Sequence, residues 1–202
     1  MTATRTAQEV ALPLGSVDLG HLVFTRGVSH LTLRVDDSME HLFRARFDGK
    51  VPDIGVDGGI VTVRYRPSLR PVHGEITLSG RVPWYIQARW GMSHVVADFG
   101  NLELRGLEIS GGSSHVEVRL PRPRETIGVR IGGGASEVEL MRPAGVPVRV
   151  HVGGGVSDLA VDDFRLGSAG GKTDWRSPDY DRRAGRFDVE IGAGASKVTI
   201  RT

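Results

Sequence analysis

The sequence predicts an all-β chain, a β-solenoid made of a stack of two-strand coils of about 21 residues with little or no helix. Three observations predict it. Ile127, Val129 and Ile131 alternate with Gly128 and Arg130, and Val138 and Leu140 alternate with Glu137 and Glu139. Alternation at period two on both sides of a turn marks two strands, each with one buried face. The turn between them, Gly132-Gly133-Gly134-Ala135-Ser136, recurs as an apolar residue, four residues containing glycine, a serine, and apolar residues two and four positions later. Ile109–Ser114, Val152–Ser157, Ile191–Ser196 and Phe24–Ser29 all fit. Finally, Ser93, Ser114, Ser136 and Ser157 fall 21, 22 and 21 residues apart. The next step, to Ser196, is 39 residues and holds an insertion.

Residues 1–83 form the less regular part. Strands are expected over Leu19–Thr25, His30–Val35, Leu42–Phe47, Ile60–Tyr65 and Gly74–Ser79. Asp48-Gly49 and Asp57-Gly58 are turn signals, and Pro67, Pro71 and Pro83 mark loops. Ser38–His41 is expected to form one short helical turn. Val56–Val61 keeps the corner spacing with valine in place of serine, and Trp90–Ser93 is a shortened corner.

Residues 84–202 form the regular part, continuous with the first as one domain. Trp84–Trp90, Glu103–Ser110, Glu125–Ile131 and Pro147–Val152 lead into glycine corners. His94–Phe99, His115–Leu120, Glu137–Met141 and Asp158–Asp162 lead out of them. The corner glycines are expected to supply φ > 0, and the serines, by parity with Val116 and Val118, to face inward. Pro121–Arg124 and Arg142–Gly145 break the ladder and mark the second corner of each coil. The insertion, 163–186, concentrates Asp174, Trp175, Asp179, Tyr180 and Asp181, a candidate binding set on an excursion from a rigid scaffold. The competing reading is a cap, with Trp175 and Tyr180 packed on the last coil. The closing segment, Lys197–Thr202, is expected to end the last coil and to leave it as an open edge unless the 163–186 insertion lies over it, in which case the free edge is at the N-terminal half.

Composition narrows the function. Of 202 residues, 39% are hydrophobic and 25% charged, the balance of an ordinary globular chain. Cysteine is absent, which removes disulfides and thiolate chemistry and fits a reducing compartment. A net charge of +2 gives no reason to expect a nucleic-acid partner. Met1–Ala11 holds no apolar run of the kind a secretory signal needs, and no window reaches the length of a membrane span. The expectation is a cytoplasmic chain without an integral membrane segment.

No catalytic constellation emerges. The corner serines have no positioned base. Gly132-Gly133-Gly134 is followed by a strand, not by the helix or lysine of a phosphate loop. The residues after the serines (His30, His94, His115, Glu137, Asp158 and Lys197) line up from coil to coil. His94 and His115, one coil apart with Glu137 beyond, are candidate zinc ligands; the alternative is a solvated polar row, and with no third ligand set by the repeat no metal or cofactor is expected. Glu117 and Glu139 are repeat-equivalent acids, and Asp98 and Asp162 share another row. Paired carboxylates can cleave glycosides, but short coils and narrow faces offer no cleft. The primary expectation is a non-enzymatic scaffold that meets a protein partner or itself through a solenoid end. The alternative is a carbohydrate-processing or metal-binding β-helix protein.

The Gly-Gly-x-Ser-x-Val corners, Arg142–Val148 and the Ser-Pro-x-Tyr-Asp run at 177–181 resemble the bacterial "toast-rack" β-solenoid proteins, an adhesin-type β-strand-repeat family, mainly over residues 84–202. The resemblance implies the same non-enzymatic role, with a link to envelope or stress functions. The family has no established catalytic residues to carry over. Its relatives are often joined to membrane segments, which this sequence does not show.

Overall fold

The alternating segments become strands because each can bury one face in a shared core while its backbone pairs on both sides. The computed structural model describes residues 8–49, 51–65 and 72–202. Pro67 and Pro71 lie outside them. In chain order the strands are β1 Gln8–Pro13, β2 Gly20–Phe24, β3 Val28–Asp36, β4 His41–Asp48, β5 Asp53–Asp57 and β6 Ile60–Arg64. There follow β7 His73–Ser79, β8 Trp84–Ala88, β9 Met92–Asp98, β10 Leu104–Ile109, β11 Ser113–Arg119, β12 Thr126–Ile131 and β13 Ala135–Met141. The last are β14 Val148–Val152, β15 Val156–Val161, β16 Phe164–Ala169, β17 Thr173–Arg176, β18 Arg186–Ile191 and β19 Ala195–Arg201. A 3-10 turn at Tyr180–Arg182 is the only helix among the described residues. Ser38–His41 is not helical: the amide of Ser38 donates to Oδ1 of Asp36 at 2.8 Å in a tight turn.

The strands form two mixed sheets. One has ten strands in the order β1-β4-β7-β3-β9-β11-β13-β19-β15-β16. The other has nine, β17-β14-β18-β12-β10-β8-β2-β6-β5. Each repeat contributes one strand to each sheet, so β12 and β13 flank the Gly132–Gly134 corner. Repeat-equivalent residues pair in parallel: Ile109 with Ile131, Ile131 with Ile191, Val116 with Val138, and Val138 with Val198. One hydrophobic cluster draws on both sheets. Val116, Val118, Ile131, Val138, Leu140, Val150, Val152, Leu159, Val189 and Ile191 are all buried in it, as their alternation predicts.

Spatial order departs from chain order at both ends. The strands β18 and β19 sit between β12–β13 and β14–β15, pairing in parallel on both sides. The expectation that Lys197–Thr202 closes the stack as an open edge is therefore corrected: β19 has β13 on one flank and β15 on the other. At the other end, β6–β7 lies outside β2–β3, and β8–β9 joins the opposite side. The insertion forms β16 and β17, which pair antiparallel with β15 and β14 as the last strand of each sheet. Antiparallel pairing also ends the N-terminal side, through β1–β4–β7 and β5–β6.

The corners work differently from expectation. None of Gly132, Gly133, Gly153 or Gly192 is in the left-handed region. What requires glycine is the stacking of one corner on the next: a Cβ on Gly192 would lie 2.4 Å from the carbonyl oxygen of Gly132. The left-handed conformation falls instead on the residue after each serine, at His30 (φ 55), His94 (52), His115 (52), Glu137 (54), Asp158 (68) and Lys197 (50). One left-handed residue breaks the alternation of faces, so the residue before the serine turns inward. Met92, Ser113, Ala135, Val156 and Ala195 are buried, while the serines after them are not.

Candidate functional site

The five residues singled out in the insertion are positioned by β17 and the 3-10 turn after it. Trp175 is half-buried against the core and its ring lies 5.8 Å from that of Phe164 on β16, linking the two terminal strands. Tyr180 is buried, with the guanidinium groups of Arg186 and Arg149 at 4.8 and 5.7 Å from its ring centroid. Asp174 meets Nδ1 of His151 at 2.6 Å, Asp181 meets Arg176 at 2.9 Å, and Asp179 meets Arg183 at 3.8 Å. The structure thus holds the aromatics in packing contacts and the acids in ion pairs. Ser177, the first residue of the Ser-Pro-x-Tyr-Asp run, is buried and clamps the start of β14: the Val148 amide donates to its Oγ at 3.0 Å.

A second constellation runs across the ten-stranded sheet. The left-handed residues of neighbouring strands stand side by side in the order His30, His94, His115, Glu137, Lys197, Asp158, and His73 of β7 extends the row beyond His30. The imidazole centroids of His73 and His30 are 4.9 Å apart, those of His30 and His94 4.8 Å, and those of His94 and His115 4.6 Å. The last two pairs are nearly parallel stacks, with interplanar angles of 2° and 5°. Beyond them Nε2 of His115 is 2.9 Å from Glu137, whose other oxygen accepts from Lys197 at 3.1 Å. The hydrogen bond and charge of Lys197, and then the charge of His115, hold the Glu137 carboxyl below its ordinary range. His30 is shifted down from the ordinary imidazole value, by burial first and then by His73 and His94.

The repeat signal found six members of this row and missed His73, because no serine precedes it. The row brings His94, His115 and Glu137 together as the spacing predicts. In parallel stacked rings the nitrogen lone pairs lie in parallel planes and do not converge on a point, which is not the tetrahedral arrangement zinc takes. Among the described residues, no group of three or more histidine or acidic side chains is placed to hold a metal ion.

The carboxylates weighed for catalysis lie beside this row. Glu117 and Glu139 are register partners on β11 and β13, at a depression of about 360 Å³ also lined by His115, Glu137, Lys197 and Thr199. Glu139 is ion-paired with Arg201, Asp98 with Arg119 at 3.4 Å, and Asp162 with the buried Arg142. Three of the four acids therefore already neutralise a guanidinium.

No family model and no curated protein matches this sequence. Among solved structures, the chain is similar to that of a "putative cell adhesion protein" from Clostridium sporogenes. The TM-score is 0.69 at 16% identity, over 97% of this chain and 98% of that one. At such identity the likeness is one of fold, the same strand-rich arrangement along nearly the whole of both chains.

Proposed function

We propose that the chain is a non-enzymatic β-solenoid interaction module that binds a second protein, or a second copy of itself, through the N-terminal end of its strand stack. The observation that carries this is the β5–β6 edge. There, Leu19, Val56 and Ile60 are 48%, 47% and 43% exposed, three large apolar side chains grouped at one end of the nine-stranded sheet. An open edge strand is a template for pairing with another chain, and exposed apolar side chains beside it add affinity. The description of the structural neighbour as a putative cell adhesion protein supports a binding role. The resemblance to toast-rack proteins supports both the solenoid reading and a link to envelope or stress functions. The parallel, repeat-matched pairing of the central strands supports the solenoid as well. The engagement of Glu139, Asp98 and Asp162 in ion pairs supports a role without catalysis. A cytoplasmic location belongs to the same proposal; among the described residues no helix is long and apolar enough to cross a membrane.

The test replaces Val56 and Ile60 with lysine. Sedimentation and cross-linking should show concentration-dependent association, or retention of a specific host protein, for the unaltered chain. The variant should lose that association by at least about tenfold, the scale of removing central apolar contacts, with an unchanged far-ultraviolet spectrum. A chain that stays monomeric, and that retains the same host proteins with or without the substitutions, overturns the proposal.

A further inference from the structure

We propose that the imidazole row is an acid-sensitive seam: neutral, it ties β7, β3, β9 and β11 together by ring contacts, one edge-to-face and two stacked, and protonated, it loosens the N-terminal half of the ten-stranded sheet. The four rings come from four adjacent strands, with centroids 4.9, 4.8 and 4.6 Å apart. At that spacing neutral imidazoles attract one another, edge-to-face or stacked, whereas like charges on directly neighbouring strands destabilise a sheet. The rings cannot easily move apart, because each left-handed residue fixes where its side chain leaves the backbone, and His30, His94 and His115 share the same φ within a few degrees.

His30 is the weak point. It has an imidazole on each side, and its Nδ1 is buried without a hydrogen-bond partner. Protonation puts an N–H on both ring nitrogens, so one of them would become a buried donor with no acceptor. Among the described residues, the charges that could compensate lie at the ends of the row. Glu137 serves His115 and Lys197. On β7, Glu75 is paired with Arg34 of β3 at 3.3 Å. Asp48 of β4 is the register partner of His73. None of these contacts is with His30 or His94.

The sign follows from the lowered proton affinity of His30, caused by burial and then by His73 and His94. Below about pH 6.5 the unfolded chain takes up a proton that the native row refuses, so stability falls with pH until His30 itself is protonated. His21, on the other sheet beside Arg89 and Glu108, is shifted the same way, by burial first. The test must therefore locate the effect as well as measure it.

The experiment compares the unaltered chain with His30→Asn and His94→Asn, singly and together. Asparagine tolerates the left-handed conformation, and His21 stays in place. Lowering the pH from 7.5 to 5.0 should raise the unfolding constant, read from urea melts, several-fold more in the unaltered chain than in the double variant. Hydrogen exchange, corrected for its intrinsic pH dependence, should show the added opening at pH 5.0 in β7, β3 and β9, and much less in β12, β18 and β14. Equal pH dependence in the unaltered chain and the variants overturns the proposal, as does added exchange spread evenly over both sheets. Should the double variant fail to fold, the His94→Asn chain, which loses two of the three ring contacts, carries the same comparison.

Discussion

Gly192 and Asp158 show how little of a residue's role follows from its type. The glycine lies outside the left-handed region and the aspartate, with φ 68, lies within it. Gly192 is needed because the corner below approaches it: an added Cβ would meet backbone oxygen at 2.4 Å, where no flexible side chain can yield. Gly192→Ala should therefore cost roughly 1–3 kcal/mol, the range for overpacking. Asp158→Gly removes the steric cost of a left-handed L-residue and adds unfolded-state entropy, and should change stability by less than about 0.5 kcal/mol or raise it. Thermal melts of both variants decide this; equal losses would return the conformational burden to the glycine corner. The corner glycines were legible in the sequence, but their reason was not, because close approach between repeats is a tertiary fact. The left-handed positions carry histidine, aspartate, glutamate and lysine; the first two adopt that conformation more often than most residues, but glutamate and lysine give no sign of it. Missing them is what reversed the predicted facing of the serines.

At the scale of the element, strands buried on one face were readable and edge strands much less so. The boundaries of β8 to β15 agree with the alternating runs to within a few residues, since Val138 or Ile131 in the wrong register would face water. By contrast β5 reads Asp53-Ile54-Gly55-Val56-Asp57, whose acids and glycine are poor strand formers, so no strand is legible there in the sequence. The insertion passed as a loop for the same reason, although Phe164 and Leu166 alternate and Val161-Asp162-Asp163-Phe164 makes a hairpin turn. Because β16 and β17 finish both sheets, the candidate binding residues have a structural assignment that can be measured. Tyr180→Ala should cost roughly 2–4 kcal/mol, within the span of large-to-small substitutions at buried sites. Trp175→Ala, half-buried, should cost less. Residues held only for a ligand would lose binding and leave the urea midpoint unchanged.

At the scale of the molecule, the repeat spacing discloses the strand pairs of residues 84–202 but not the order in which they stack; Val56–Val61, which keeps the corner spacing, is a hairpin turn within one sheet. Every corner offers its neighbour the same glycine, serine and valine, so Ser136 matches Ser157 as well as it matches Ser196, and the register alone cannot choose. In the folded chain the choice is made by insertion: β19 pairs with both β13 and β15, and β18 with both β12 and β14, so the final segment joins two parts that consecutive stacking would have placed in contact. The absence of cysteine makes this order directly testable. Neighbouring parallel strands lie about 4.8 Å apart and second neighbours about twice that, while a disulfide needs Cα atoms within roughly 7 Å. Ser136→Cys with Ser196→Cys should therefore cross-link under mild oxidation, and so should Ser157→Cys with Ser196→Cys. Ser136→Cys with Ser157→Cys should remain reduced until the chain is unfolded. A stack that follows chain order predicts the opposite for the pair involving Ser136 and Ser157. Rapid cross-linking of that pair in the native protein would overturn the inserted position of β18 and β19, and would return the open edge to the C-terminal segment.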